Sequence, residues 1–303
     1  MRIMGSTLLN AEEITVIMGP TASGKSALAL DLARRYGGEI VSVDSMQLYR
    51  GLEIGTAQPT AEERKQIPHH LVGCFDFHTR VDVFTYVKLA DQSIAQIRAR
   101  GRKPILAGGT GLYLRALLYG LDELPADREL RRKLDETYDS DAGAEALKRR
   151  MAELDPDGLA RWGNCRRRLI RALEVRLLTG KSILELQKNP FDELRYPVRA
   201  WRLDPPADEL KARIRSRARR MLENGWIEEA SAAVKAGLLE TPTAHQAIGY
   251  RLIADYLAGK FGYEELYERI STVTWQFARR QRTWFRHQHP EAEVYGSDTQ
   301  IVL

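Results

Sequence analysis

The run Gly19-Pro-Thr-Ala-Ser-Gly-Lys-Ser26 leaves this chain few folds to adopt. It follows five apolar or β-branched residues, 14–18, and leads into a helix-forming stretch, 25–36. A G-x-x-x-x-G-K-S loop between a strand and a helix turns backbone N–H groups inward as an anion nest. The helix behind it aims the positive end of its dipole at the same point. Gly19, Pro20, Thr21, Ala22, Ser23, Gly24, Lys25 and Ser26 are therefore the candidate phosphate-binding residues. Lys25 would reach the terminal phosphates, and the Ser26 hydroxyl would ligate a bridging Mg²⁺.

The rest of the first third keeps the same rhythm. Short β-rich runs at 39–43 and 104–107 alternate with helical stretches such as 84–100, which stops at Gly101. That alternation predicts an α/β core with a parallel sheet and crossover helices. Asp44 follows the second strand, so it stands at the carboxyl edge of the sheet, where open α/β folds build their ligand crevice. Two roles are open to it there, metal ligation through water or general base, beside the structural role of an Asp closing a strand. The next strand ends in Ala107-Gly-Gly-Thr110, two glycines and a hydroxyl at the same edge, with no carboxylate nearby.

After Gly120 the strand signal stops. Residues 127–138, 143–154 and 166–179 read as helices, broken by Asp155-Pro156-Asp157-Gly158 and by Gly180, and an extended run at 198–203 then restores the sheet pattern. This predicts a phosphate-binding core begun by residues 1–121, an all-helical insertion over 122–195, and a core completion with C-terminal helices over 196–303. Three long helical stretches, 207–224, 246–257 and 263–288, close the chain.

Charge points to a polyanionic partner through its distribution more than its sum. The net charge is only +5. Between Arg161 and Lys181, however, seven basic residues face the single acid Glu174, and residues 211–220 hold six basic residues and no acid. Arg279, Arg280, Arg282 and Arg286 crowd a later helix that also carries Trp275 and Trp284. Clustered Arg beside aromatics suits phosphate contact and base stacking, although solvated helix faces can look the same. Two cysteines, Cys74 and Cys165, supply neither a disulfide framework nor a four-ligand zinc site, which points to a reducing, cytoplasmic compartment. No apolar run approaches the ~20 residues of a membrane span, and residues 1–13 read as a frayed leader.

Seven blocks, taken in order, carry a resemblance. They are GPTASGKS, VSVDSMQLYRGLEIGTAQP from Val41, PHHLV from Pro68, RGRKPILAGGTGLYLRALL from Arg100, RRLIRALEV from Arg167, QAIGYR from Gln246 and ARRQRTWFR from Ala278. Together they resemble the tRNA dimethylallyltransferases over nearly the whole chain. The resemblance implies a P-loop core like that of nucleoside and shikimate kinases, with a helical insertion that grips the anticodon stem-loop of tRNA. It implies transfer of a dimethylallyl group from dimethylallyl diphosphate to N6 of the adenine immediately 3′ of the anticodon. The phosphate loop, normally an ATP-binding device, would hold the prenyl diphosphate, with Mg²⁺ as cofactor and no ATP consumed.

Residue by residue, the resemblance implies that Thr21 and Lys25 handle the diphosphate and that Asp44 is the base for the adenine amine; an arginine such as Arg217 would complete the diphosphate site, with the choice among arginines open. It places tRNA contacts at Asp44, Ser45, Met46, Gln47, Thr110 and Arg131, and at Arg167, Arg168, Leu169, Ile170 and Arg171. Gln246, Gly249, Tyr250 and Arg251, with Arg279, Arg280, Gln281, Thr283, Trp284 and Arg286, would complete the RNA surface. Leu169 also reads as core within its helix, and Trp284 as inward packing. The expected protein is a cytoplasmic monomer of bacterial type that contacts no membrane. Departures from the usual pattern, Asn164-Cys165-Arg166 and Gln58 in GTAQP, spare Lys25, Ser26, Asp44 and Thr110. A P-loop small-molecule kinase would explain the first motif alone and predicts ATP turnover. An adenylate prenyltransferase acting on a free nucleotide would not need the basic helices, and a non-catalytic RNA-binding protein would use them without prenyl transfer.

Overall fold

A computed structural model of the chain describes residues 13–163, 165–187, 193–289 and 292–296. The leader segment 1–12 and Asn164 lie outside the described residues. Six strands form one sheet: β1 (Ile14–Met18), β2 (Gly38–Val43), β3 (His69–His70), β4 (Lys103–Gly108), β5 (Val198–Leu203) and β6 (Glu293–Tyr295). Every pairing is parallel, in the order β3-β2-β4-β1-β5-β6. β1 has neighbours on both sides and all five of its residues are buried, which is why it reads as a continuous run rather than an alternation.

The register decides where chemistry can happen. Met18 of β1 and Val43 of β2 both pair with Gly108 of β4, so the three strands end side by side. Gly19, Asp44 and Gly109 therefore leave the sheet at one place, the carboxyl edge. Gly108 makes this possible, since a Cβ there would fall on the Val43 carbonyl.

Helix α1 (Lys25–Tyr36) follows the phosphate loop and buries Ala29, Leu30, Leu32 and Ala33. These pack on Ile17, Ile40, Ile105 and Trp201 of the sheet, each large side chain contributing roughly 1.5–3 kcal/mol of burial. Gly37 ends the helix with φ 65°, accepted without strain because it lacks a Cβ. Helices α2 (Ala61–Gln66), α3 (Val83–Ala99) and α4 (Gly111–Tyr119) link the strands of this half. α2 and α3 start at Thr60 and Asp82, whose side chains accept from the Glu63 and Thr85 amides.

By internal contacts the chain divides into two compact units, Met1–Leu118 with Leu194–Leu303, and Tyr119–Glu193. The second unit is helical: α5 (Arg128–Thr137), α6 (Asp141–Leu154), α7 (Pro156–Trp162), α8 (Arg166–Thr179) and α9 (Ile183–Leu186). Its core gathers Leu134, Leu147, Met151, Leu169, Ile170, Leu173 and Val175. The first unit continues with α10 (Ala207–Met221), α11 (Ile227–Lys235), α12 (Tyr250–Leu257) and α13 (Tyr263–Gln288). α10 stops at Met221 instead of running to residue 224, because Asn224 and Gly225 leave helical geometry, Gly225 with φ 96°. α12 starts at Tyr250 instead of residue 246, because Gly249 takes φ 97°. A side chain at Gly249 would in any case collide with Trp226.

Candidate active site

The phosphate loop is built from strained backbone held by distant partners. Gly19 (φ 151°), Ala22 (φ 62°) and Gly24 (φ 101°) alternate with ordinary conformations, the pattern that turns successive amides inward. Ala22 occupies the left-handed region without being glycine, so the surrounding bonds must hold it there. They are visible: Thr21 N–H donates to Gln281 Oε1 at 2.8 Å, and Arg213 Nη1 donates to the Ser23 carbonyl at 3.2 Å. Gly24 caps α1 with no side-chain acceptor, so the first amides of that helix remain for an anion. Lys25 meanwhile folds back to donate from Nζ to the Pro20 carbonyl at 2.6 Å.

At the end of β2, Asp44 Oδ1 accepts from the Met46 amide at 2.9 Å and the Gln47 amide at 3.3 Å. The carboxylate thus closes its own turn through one oxygen, the ordinary role of an Asp at a strand end. It also borders the cavity opposite Lys25 and Arg217. At the end of β4, the amides of Gly109 and Thr110 donate to the Val43 carbonyl at 3.1 and 3.0 Å. This brings the Thr110 hydroxyl to accept from Ser45 N–H at 3.0 Å. Gln47 fixes the far wall, donating from Nε2 to the carbonyls of Thr56 and Ala57 while its Oε1 accepts from the Ser42 hydroxyl.

That wall has a second support for which the sequence carries no local sign. Glu229 of α11 accepts from the amides of Ile54 and Gly55 at 2.7 and 2.9 Å and from the Tyr250 hydroxyl at 2.6 Å. Nothing near Glu229 in sequence announces this, because the loop amides it serves lie 175 and 174 positions away.

One cavity of about 920 Å³ joins these parts. Its polar lining includes Thr21, Lys25, Ser26, Asp44, Thr110 and Arg217, beside Gly24. Its other walls include Ile214, Ala218, Met221, Trp226, Ile248, Ile270 and Phe277, which are apolar. Arg217 Nη1 donates to the Thr21 hydroxyl at 3.2 Å, so α10 meets the phosphate loop directly. Burial and the neighbouring Arg217 lower the Lys25 pKa to about 7, with Asp44 pulling the other way. Burial also lowers Arg217, with Asp44 opposing. Burial raises the Asp44 carboxyl above its usual range, against the Met46 and Gln47 bonds and the charges of Lys25 and Arg217. Two buried basic groups, both disfavoured in their charged forms, facing one carboxylate form a site that an added anion would stabilise.

Of the expected RNA-facing residues, Ser45, Met46, Gln47, Thr110, Gln246, Arg280 and Gln281 line the same cavity. Arg167, Arg168, Arg251, Arg279 and Thr283 are placed toward solvent. Several expectations need correction. Leu169 and Ile170 are 2 % and 0 % exposed inside the helical unit's core, so their side chains cannot face RNA. Tyr250 is fully buried and bonded to Glu229. Gly249 is packed against Trp226 and makes a turn. Gln281 points inward to Thr21 and Gly109. Trp284 packs over Gly111, where no Cβ would fit.

Arg131 and Arg171 both bond the buried Glu174, and Arg171 also donates to the carbonyls of Leu124 and Pro125. These two guanidiniums are therefore partly compensated within the helical unit. Arg286 pairs with Asp204 at 2.6 Å. The spacing of α13 does carry the inward direction of Gln281, which shares a face with Ala278 and Phe285 at i−3 and i+4.

Comparison with known proteins agrees with this geometry. The IPP transferase family model matches residues 47–288, and the isopentenyl transferase model matches residues 12–70, which contain the phosphate loop and Asp44. The tRNA dimethylallyltransferase of Anaeromyxobacter dehalogenans strain 2CP-C is 47% identical over 276 residues, 90% of this chain and 91% of that protein. The tRNA dimethylallyltransferase of Geobacter metallireducens is 43% identical over 90% of this chain and 89% of its own. Among solved structures, the full-length tRNA isopentenylpyrophosphate transferase of Bacillus halodurans superimposes with a TM-score of 0.68 at 36% identity, covering 94% of this chain and 89% of that one. A eukaryotic dimethylallyltransferase acting on tRNA superimposes with a TM-score of 0.76 at 28% identity, covering 94% and 73%. The phosphate loop, the carboxylate beside it and the match along most of the chain together place this protein in the IPP transferase family, that of the tRNA dimethylallyltransferases.

Proposed function

We propose that this cavity moves the dimethylallyl group of dimethylallyl diphosphate onto N6 of the adenine immediately 3′ of the anticodon in tRNA. The observation that carries the reading is the meeting, in one cavity, of an electron-poor phosphate nest, a base-like carboxylate and an apolar wall. A five-carbon allyl group suits that wall.

The chemistry distributes itself over these residues. The allylic C1–O bond breaks and its electron pair leaves with the diphosphate, while the N6 lone pair forms the new C–N bond. Negative charge grows on the leaving oxygen, next to the loop amides, Lys25 and Arg217. Thr21 orients Arg217 through its hydroxyl. The N6 amine is a weak nucleophile until its proton is removed, and Asp44 is the carboxylate within the cavity that can take it. Its Oδ1 is occupied by the turn, which makes Oδ2 the accepting atom. A raised Asp44 pKa makes it a stronger base than an exposed carboxylate would be.

Mg²⁺ fits the residues present. The Ser26 hydroxyl opens α1 at the cavity, and among the described residues no group of three His, Cys, Asp or Glu could cage an ion alone. The ion would then be held by Ser26, diphosphate oxygens and water, and its chemistry is to neutralise the leaving group. The basic surfaces suit the anticodon stem-loop, with Arg167 and Arg168 on α8 and Arg279 and Arg280 on α13 available to phosphates. The adenine must leave its stack to reach Asp44, a general requirement for chemistry on a base. Among the described residues, no helix is long and apolar enough to cross a membrane, and a tRNA substrate suits a cytoplasmic enzyme.

The test is to incubate the protein with dimethylallyl diphosphate, Mg²⁺ and unmodified tRNA, then digest and analyse nucleosides by mass spectrometry. N6-dimethylallyladenosine at the position 3′ of the anticodon, with diphosphate released and ATP untouched, is the expected result. ATP hydrolysis without that nucleoside, or modification of free AMP in preference to tRNA, sinks the reading.

A further inference from the structure

We propose that Gln281 is a positioning residue for the donor's diphosphate rather than part of the RNA surface on which its neighbours sit. The side chain is 7 % exposed. Its Oε1 accepts from Thr21 N–H at 2.8 Å, and its Nε2 donates to the Gly109 carbonyl at 2.8 Å. Thr21 belongs to the phosphate loop after β1, and Gly109 to the edge after β4. One amide thus fixes the spacing between two adjacent strand ends from a helix 172 positions beyond Gly109.

Only glutamine has the right inventory here. The Thr21 amide must donate and the Gly109 carbonyl must accept, which also settles which end of the side chain is oxygen. Glutamate could serve Thr21 but would turn an oxygen toward the Gly109 carbonyl. Lysine could serve only Gly109, and asparagine is one methylene too short to span both. The fit is tight on the other side as well, since a Cβ at Gly109 would collide with the Gln281 amide.

The bond at Thr21 matters because its neighbour Ala22 sits at φ 62°, a conformation the local sequence does not favour. Releasing Thr21 N–H lets Ala22 relax toward ordinary backbone. The later loop amides then no longer converge on one point, and Arg217 loses its partner at the Thr21 hydroxyl. Donor affinity is the property at stake. RNA affinity would rest on solvent-facing groups such as Arg279 of the same helix, which do not need this amide.

The inference rests on the reading that the loop binds a diphosphate, and the experiment separates the two. Binding of inorganic pyrophosphate and of unmodified tRNA is measured for the wild type, Gln281→Met and Gln281→Glu, with KM for donor and tRNA in parallel. Wild-type protein that ignores pyrophosphate overturns the diphosphate reading itself. Given wild-type binding, Gln281→Met leaves the part-buried Thr21 donor and the buried Gly109 acceptor unpaired and should weaken pyrophosphate roughly ten- to a hundredfold, with KM for the donor rising in step. Its tRNA affinity should stay within about twofold. Gln281→Glu should weaken pyrophosphate further, through charge, and serves as the second variant if Gln281→Met does not fold. Loss of tRNA affinity alone, equal loss of both affinities, or no change in either overturns the assignment.

Discussion

Lys25 should take up a proton when the donor binds, and the amount can be worked out from the cavity. In the empty site its pKa stands at about 7, held down by burial and by Arg217. At pH 8 about nine-tenths of the molecules therefore carry it neutral. A diphosphate brought against Nζ supplies the counter-charge that is missing and returns the pKa toward its ordinary value of 10.5. Binding at pH 8 should then absorb about 0.9 proton.

At pH 8 the donor does not confuse the count, because the second ionisation of a phosphate monoester lies near ~6 and is essentially complete there. The assay is calorimetric titration with a non-reactive thio analogue of dimethylallyl diphosphate, in Hepes and in Tris, whose ionisation enthalpies differ. The dependence of the observed heat on buffer gives the protons taken up. Affinity should also fall by about tenfold per pH unit above 7, until the bound-state pKa is reached. The empty protein shows the linked effect with opposite sense. Because the folded pKa is depressed, the charged form is penalised at low pH, and this penalty is relieved as pH rises from about 7 toward 10.5. Uptake below about 0.2 proton at pH 8, or equal uptake by Lys25→Met, would show that Lys25 is not the group that titrates.

Three further outcomes follow from particular contacts. Glu229→Gln replaces a carboxylate that serves two loop amides by a group with one acceptor oxygen. It should lower kcat/KM for tRNA by about tenfold while pyrophosphate affinity stays constant; an unchanged kcat/KM returns Glu229 to a role in stability alone. Replacing Arg167 and Arg168 by Gln should reduce the salt slope of tRNA binding by roughly one to two units, read by filter binding across a salt series, and an unchanged slope means solvated faces. Gly108→Ala forces a Cβ onto the Val43 carbonyl and should lower Tm by roughly 3–10 °C in calorimetry, whereas wild-type Tm would show that the strand ends can part.

What the sequence discloses about this fold is what local chemistry controls. Helices α1, α8 and α13 and strands β1 and β5 have the limits expected of them, because apolar period, glycine stops and flanking turns all agree. β3 and β6 are two and three residues long and carry no readable alternation. α4 starts directly after the Gly-Gly-Thr edge, so its letters read as part of that motif and its helix is not announced. α10 and α12 are shorter than their apolar period implies, since Gly225 and Gly249 take positive φ values through which a helix does not run.

The site divides along the same line. Contiguous devices, the phosphate loop and the Asp44 turn, can be read from a string of letters. The partners of Gln281 and Glu229 cannot, because they are far away in the chain. The basic helices are legible as charge but not as geometry: in the row Arg167 to Arg171 on α8, Leu169 and Ile170 are core and Arg171 is tied to Glu174.

The proposed reaction stands on Asp44 removing the proton from the adenine amine as the diphosphate leaves. An asparagine at this position can keep the turn, since its side-chain oxygen accepts the same two amides, so Asp44→Asn isolates the chemistry. The decisive measurement is single-turnover transfer with saturating tRNA and dimethylallyl diphosphate, quenched and counted as modified adenosine, with both binding constants measured beside it. A rate lower by about a hundredfold or more, with binding of both substrates preserved, is the expected result. A variant that transfers at the wild-type rate would deny Asp44 the proton and leave it a turn residue.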